Sequence, residues 1–172
     1  TGRLMTFNLP MLLEISQAMP EASQLLGKPL PVQAARLYFE QLPLEVSGAA
    51  DNIQWLVDTP ERVTQYAALA DEFGRDLGLN VVLGAMLGAI QAHPRLRFAG
   101  FMGYDPHIPS LPTAMGWRDR AMKGVRKTYA DALVQAGEVF DAEVMAGITR
   151  NAAGSPTYRT YQDTEIASEV SA

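Results

Sequence analysis

The sequence predicts an α/β fold built on parallel strands, and three observations support that expectation. Short β-prone runs alternate with helical patterns, each strand is followed by a single helix, and 172 residues with 48% hydrophobic content can bury a core of ordinary size. A strand joined to the next through one helix is followed by a parallel neighbour, so the sheet is either open and doubly wound or closed as a barrel. Pattern alone does not separate the two. A complete barrel typically takes roughly 250 residues, so on the barrel reading the chain holds a partial one.

Strands are expected at Arg3 to Phe7, Ser23 to Gly27, Ile53 to Asp58, Leu79 to Leu83, Leu96 to Gly103 and Glu143 to Arg150, with helices filling the gaps. The clearest helix runs from Pro60 to Leu77. Thr59 can cap it, Pro60 suits the first helical position, Val63, Tyr66, Ala67, Ala70 and Phe73 form one apolar face, and Gly78 ends it. A second long helix, from Trp117 to Ala136, carries Ala121, Val125, Tyr129, Ala132 and Leu133 on one side and Lys and Arg on the other. No internal repeat, low-complexity tract or long linker interrupts the chain, so residues 1–172 read as one domain. Thr1 is followed almost at once by the strand-like RLMTF, and the start reads as the middle of something longer.

Composition narrows the function classes. A net charge of -5, with 14 Lys and Arg scattered and no basic run interleaved with aromatics, argues against a nucleic-acid partner. Zero cysteines exclude a disulfide scaffold, a thiolate metal site and a thiol nucleophile, and the default compartment is the cytoplasm. Apolar segments are short, so no membrane span is expected, and no signal-peptide pattern opens the chain.

In either architecture ligands sit at the C-terminal ends of the strands. Those ends offer Asn8, Lys28, Asp58 with Thr59, the run GYDPH at 103–107, and NAAGSPTY at 151–158. Lys28 before Pro29 reads as a solvated loop lysine, and Asp58 with Thr59 as a helix start. His107 with Tyr104 stands apart, because it is one of only two histidines and lies in a Pro-rich loop after an apolar strand. His93 precedes Pro94 at a helix end, where charge is favourable and no chemistry is implied. In NAAGSPTY, Gly154 permits close backbone approach, and N–H groups with the hydroxyls of Ser155 and Thr157 can surround an anion; Pro156 offers no N–H. Such a sequence also makes ordinary turns. Its place after a late strand, where barrels frequently hold a phosphate, favours the anion.

The run LRFAGFMGYDPH, followed after one long helix and one strand by ITRNAAGSPTYR, resembles the fold-type III pyridoxal-phosphate (PLP) enzymes of the D-threonine aldolase and D-serine dehydratase-like group. That group belongs to the alanine racemase N-terminal-domain superfamily. LMTFNLPML, LLGKPLPV and IQWLVDTPER resemble it too, so the likeness touches most of the chain. The resemblance implies a partial (β/α)8 TIM-type barrel with parallel strands, residues 1–172 forming a single incomplete PLP-binding domain. It implies that Gly154, Ser155 and Thr157 bind the cofactor phosphate, with Tyr158 and Asn151 beside them. It implies too that Tyr104 and His107 face the cofactor as catalytic residues, with proton transfer or cofactor positioning as their roles and His107 as the proposed acid and base. The implied substrate is a D-3-hydroxy amino acid such as D-threonine or D-serine, cleaved by aldol chemistry or dehydrated. An amino-acid racemase of the same superfamily is one alternative, and a truncated, non-catalytic phosphate- or PLP-binding barrel is another. Two-subunit sites in the family imply a homodimer, and the open edges and apolar surface of a partial barrel predict either association or poor solubility.

Three departures stand beside the resemblance. The family's Schiff-base lysine lies on a strand expected before Thr1, and Lys28 lies on a different strand. An arginine expected near the cofactor ring is missing where NVVLGAMLGAI runs straight through. The family's C-terminal domain, which in the aldolases supplies divalent-metal ligands, has no counterpart before Ala172, so no metal site is assigned. Catalysis by this chain is therefore left open.

Overall fold

Every strand pairing described in the computed structural model of the chain is parallel. The structure describes residues 3–82, 86–103, 108–111, 116–152 and 166–170. The chain divides into two compact units, residues 1–81 with 85–99 and residues 82–84 with 100–172.

In the first unit, β1 (Leu4–Thr6), β2 (Gln24–Leu26), β3 (Ile53–Val57) and β4 (Leu77–Val81) pair in sequence order. Helices α1 (Leu9–Ala18), α2 (Val32–Gln41) and α3 (Pro60–Phe73) connect them, with a 3-10 segment at Leu44–Asn52. A short helix, α4 (Leu87–Gln91), precedes β5 (Leu96–Met102), and the Leu77 N–H donates to the Arg95 carbonyl at 2.8 Å beside that strand's start. The helices begin where side chains satisfy their free N–H groups. Asn8 Oδ1 accepts from the Met11 N–H at 3.0 Å, and Thr59 Oγ1 accepts from the Arg62 N–H at 3.2 Å.

The unit's core lies between sheet and helices. Trp55 on β3 is fully buried, its ring 5.5 Å from those of Tyr38 on α2 and Tyr66 on α3. Alternation along the strand turns the neighbouring Gln54 to the other face, where its Oε1 accepts from Asn80 Nδ2 at 3.1 Å.

Two boundaries differ from the sequence expectation. Helix α3 ends at Phe73 rather than Leu77, because Gly74 adopts a left-handed conformation (φ 60°) that closes it. Gly78, expected to end that helix, lies inside β4, and the strand starts two residues earlier than expected.

In the second unit, the end of β5 pairs with β6 (Thr149–Ala152), and β6 with β7 (Glu169–Val170). Helices α5 (Trp117–Val139) and α6 (Ala142–Gly147) precede β6. The strand expected at Glu143 to Arg150 is thus divided. Asp141 accepts from the Val144 N–H at 2.9 Å and starts a helix, so the strand begins only at Thr149.

Candidate functional site at the end of β6

Parallel α/β folds hold ligands at the C-terminal strand ends, so the residues there decide what the chain can bind. In the first unit those positions are occupied structurally. Asn8 caps α1 and Thr59 caps α3, while Asp58 Oδ1 accepts from Arg62 Nε at 2.8 Å. The same guanidinium also donates to the Leu30 carbonyl, tying the loop after β2 to the start of α3. Lys28 is exposed. His93 belongs to the other strand ends, where its Nδ1 accepts from the Arg95 N–H and its Nε2 pairs with Asp71, each at 3.3 Å. A polar cavity of about 330 Å3 lies near it, lined by Asp51, Arg75, Asp76, Arg95 and Arg97, all close to strand N-termini. Its location is the end that barrels use for stability rather than chemistry.

In the second unit, β6 ends in two buried residues, Asn151 and Ala152. The Asn151 carbonyl accepts from the Gly103 N–H at 2.9 Å and from the Tyr129 hydroxyl at 3.1 Å. The phenol is also 3.4 Å from the Phe101 carbonyl. Burial pushes the Tyr129 phenol above its ordinary pKa, and the nearby Arg150 only partly offsets this, so the group stays a donor. Residues 168–170 lie alongside β6. The Ser168 N–H donates to the Arg150 carbonyl at 2.9 Å, and Ser168 Oγ accepts from the Arg150 N–H at 3.1 Å. Both anchors of the segment carrying Gly154 are therefore held. An apolar cavity of about 380 Å3 lies beside Tyr129, walled by Val82, Phe101, Gly103, Val125 and Ala132. Its lining does not suit a phosphate.

Of the site residues expected from sequence, Asn151 is described and stands at this strand end. Tyr104, His107, Gly154, Ser155, Thr157 and Tyr158 lie outside the described residues. Tyr129 was expected only as part of an apolar helix face. A buried tyrosine usually finds a partner for its hydroxyl, and that was the signal it carried.

No family model and no curated protein matches the sequence. Solved structures do match the fold. A D-threonine aldolase from Filomicrobium marinum superposes with a TM-score of 0.68 at 12% identity, over 98% of this chain and 47% of that one. A D-threo-3-hydroxyaspartate dehydratase from Delftia sp. HT23 gives 0.67 at 14% identity, over 97% and 45%. An alanine racemase from Clostridium difficile 630, in complex with cycloserine, gives 0.64 at 14%, over 98% and 45%. The fold is a partial (β/α)8-type barrel, shared with these structures. It is the fold that the sequence resemblance implied, and the chain spans less than half the length of these three structures.

In sequence, Gly154, Ser155 and Thr157 follow the buried strand end at Asn151 and Ala152 and lie outside the described residues. An amine for the cofactor's aldehyde is not matched among the described residues. The chain has three lysines; Lys28 and Lys123 are exposed, and Lys127 pairs with Asp131 at 2.7 Å. Among the described residues no group of three His, Asp or Glu side chains is placed to hold a metal, and no helix is long and apolar enough to cross a membrane.

Proposed function

We propose that this chain is the cofactor-phosphate-binding part of a PLP-dependent lyase acting on D-3-hydroxy amino acids such as D-threonine or D-serine, by aldol cleavage or dehydration. The observation that carries the reading is the buried end of β6, Asn151 and Ala152, leading directly into Gly154, Ser155 and Thr157 within the aldolase and racemase barrel fold.

Gly154, Ser155 and Thr157 hold the phosphate, and Asn151 and Tyr158 flank it. When bound, PLP supplies an electron sink for the bond broken at the substrate's α-carbon. Tyr104 and His107 follow in sequence on β5, the strand that pairs with β6, and on this reading they face the cofactor. His107 takes the proton from the substrate's 3-hydroxyl in aldol cleavage and delivers one to the departing hydroxyl, which leaves as water, in dehydration, a role suited to an imidazole that both accepts and donates protons. The substrate is a small amino acid, and the cysteine-free composition fits the cytoplasm.

A second reading, a non-catalytic PLP- or phosphate-ester-binding barrel, is favoured by one observation: no lysine of the chain is matched to the cofactor's aldehyde. Titrating the purified chain with PLP while recording its visible spectrum, then adding borohydride and mapping any modified lysine, tests both. Saturable binding with a trapped lysine supports the lyase. Saturable binding without one fits the non-catalytic barrel and equally a lyase whose Schiff-base lysine lies outside residues 1–172, where the resemblance implies it. No binding overturns the cofactor reading for this chain.

A further inference from the structure

We infer that Tyr129 is a positioning residue of the candidate site: its hydroxyl holds the Asn151 carbonyl and so fixes the adjoining ends of β5 and β6, from which both site segments depart. The inference rests on the cofactor reading above.

The geometry is specific. One phenolic proton can serve one acceptor at a time, and the Asn151 oxygen, at 3.1 Å, is nearer than that of Phe101, at 3.4 Å. The Asn151 oxygen also accepts from the Gly103 N–H at 2.9 Å, so its two lone pairs are matched by two donors from different elements. Tyr129 itself is 7% exposed. Its ring lies against Gly103, where a Cβ would sit 3.0 and 3.1 Å from two ring carbons. Ring and hydroxyl therefore act on one seam: the ring packs tightly on Gly103 just past β5, and the hydroxyl ties that end to β6.

Sequence adjacency links the seam to the chemistry. Gly103 immediately precedes Tyr104, three residues before His107, and Asn151 stands three residues before Gly154. A shift of the seam would move the start of both segments together. Packing against Gly103 and Phe101 requires only the ring, 6.0 Å from that of Phe101, so a phenylalanine would pack as well. The hydroxyl is the part that sets the Asn151 carbonyl.

The test is Tyr129→Phe in the full chain, titrated with PLP and with pyridoxal, which lacks the phosphate. Loss of the clamp is expected to weaken PLP binding roughly fivefold or more, about the effect of one buried hydrogen bond, and to weaken pyridoxal binding less, so that the PLP-to-pyridoxal ratio falls. Amide exchange at Gly103 is expected to speed up in the same variant. Tyr38→Phe, which removes a buried hydroxyl bond in the first unit, is the control and is expected to leave the PLP-to-pyridoxal ratio unaltered. Wild-type chain that binds PLP, with an unchanged ratio in Tyr129→Phe, overturns the inference and leaves the cofactor reading standing. Equal weakening of both ligands also overturns it, by reducing Tyr129 to a packing role. Wild-type chain that fails to bind PLP overturns the reading itself, and the inference with it.

Discussion

Gly100 on β5 lies so close to Thr149 on β6 that a Cβ added there would stand 2.0 Å from the Thr149 carbonyl oxygen. The glycine also has φ 144°, a conformation that side-chain-bearing residues rarely adopt. Gly100→Ala is therefore expected to destabilise the fold by roughly 2 to 4 kcal/mol, through strain and separation of the β5–β6 seam. Urea denaturation measures the loss. Gly137→Ala is the contrasting case, because that glycine lies within α5 and an added methyl meets no atom within 4 Å. A gain of about 0.5 to 1 kcal/mol is expected there, from helix propensity alone.

Two buried tyrosines of the first unit should respond differently to loss of their hydroxyls. Tyr38 Oη shares a hydrogen bond with Ser16 Oγ at 2.9 Å, and Ser16 in turn accepts from Gln24 Nε2 at 2.9 Å. Tyr66 Oη has no hydrogen-bond partner among the described residues. Tyr38→Phe leaves a buried polar chain incomplete and is expected to cost about 1 to 2 kcal/mol, whereas Tyr66→Phe removes an unmatched hydroxyl and is expected to be neutral or slightly stabilising. Equal losses in chemical denaturation would contradict this assignment.

The ion pair between Arg36 on α2 and Glu72 on α3 is bidentate, with Nη2 to Oε2 at 2.6 Å and the other guanidinium nitrogen on Oε1. Its hydrogen bonds hold the Glu72 carboxyl below its ordinary value of 4.5. A carboxyl whose pKa is lowered by folding contributes stability above its unfolded pKa and loses that contribution as pH falls through the folded value. Glu72→Gln should therefore lower Tm at neutral pH and make little difference once the pH is below the depressed value. Both groups face solvent, so added salt should shrink the neutral-pH difference. A deficit that persists unchanged into acid would show that the charge is not its source.

Much of the fold was legible because its signals are local. Thr59 and Pro60 mark the start of α3 through capping and fixed φ, and the apolar runs at β3 and β5 read directly as strands. The errors arose where one residue type serves two purposes. Gly74 and Gly78 both suit a helix end, and only the observed left-handed turn at Gly74 distinguishes them. The run after Asp141 reads as an apolar strand, yet the Asp141 cap makes a helix more favourable until Thr149. At the site, the strand-end polar residues Asn8, Asp58 and Thr59 proved to be engaged in caps and an ion pair, for which the sequence reading of Asp58 and Thr59 as a helix start was sound. Asn151 was expected at a strand end from its neighbours in sequence, and it stands at the end of β6. Tyr129 was not expected beside it, because it reaches Asn151 across 22 residues of chain, and helical periodicity reports which face a residue occupies but not which carbonyl its hydroxyl finds.

The central claim is that the loop after β6 recognises the cofactor through its phosphate. Its most direct test is the affinity of PLP for the wild-type chain and for Ser155→Asp, which sets a carboxylate against the phosphate dianion. Saturable binding to the wild type, weakened at least roughly tenfold by a like charge worth more than about 1.4 kcal/mol, is the expected result. Equal affinity in the two proteins, or none in either, would contradict the claim.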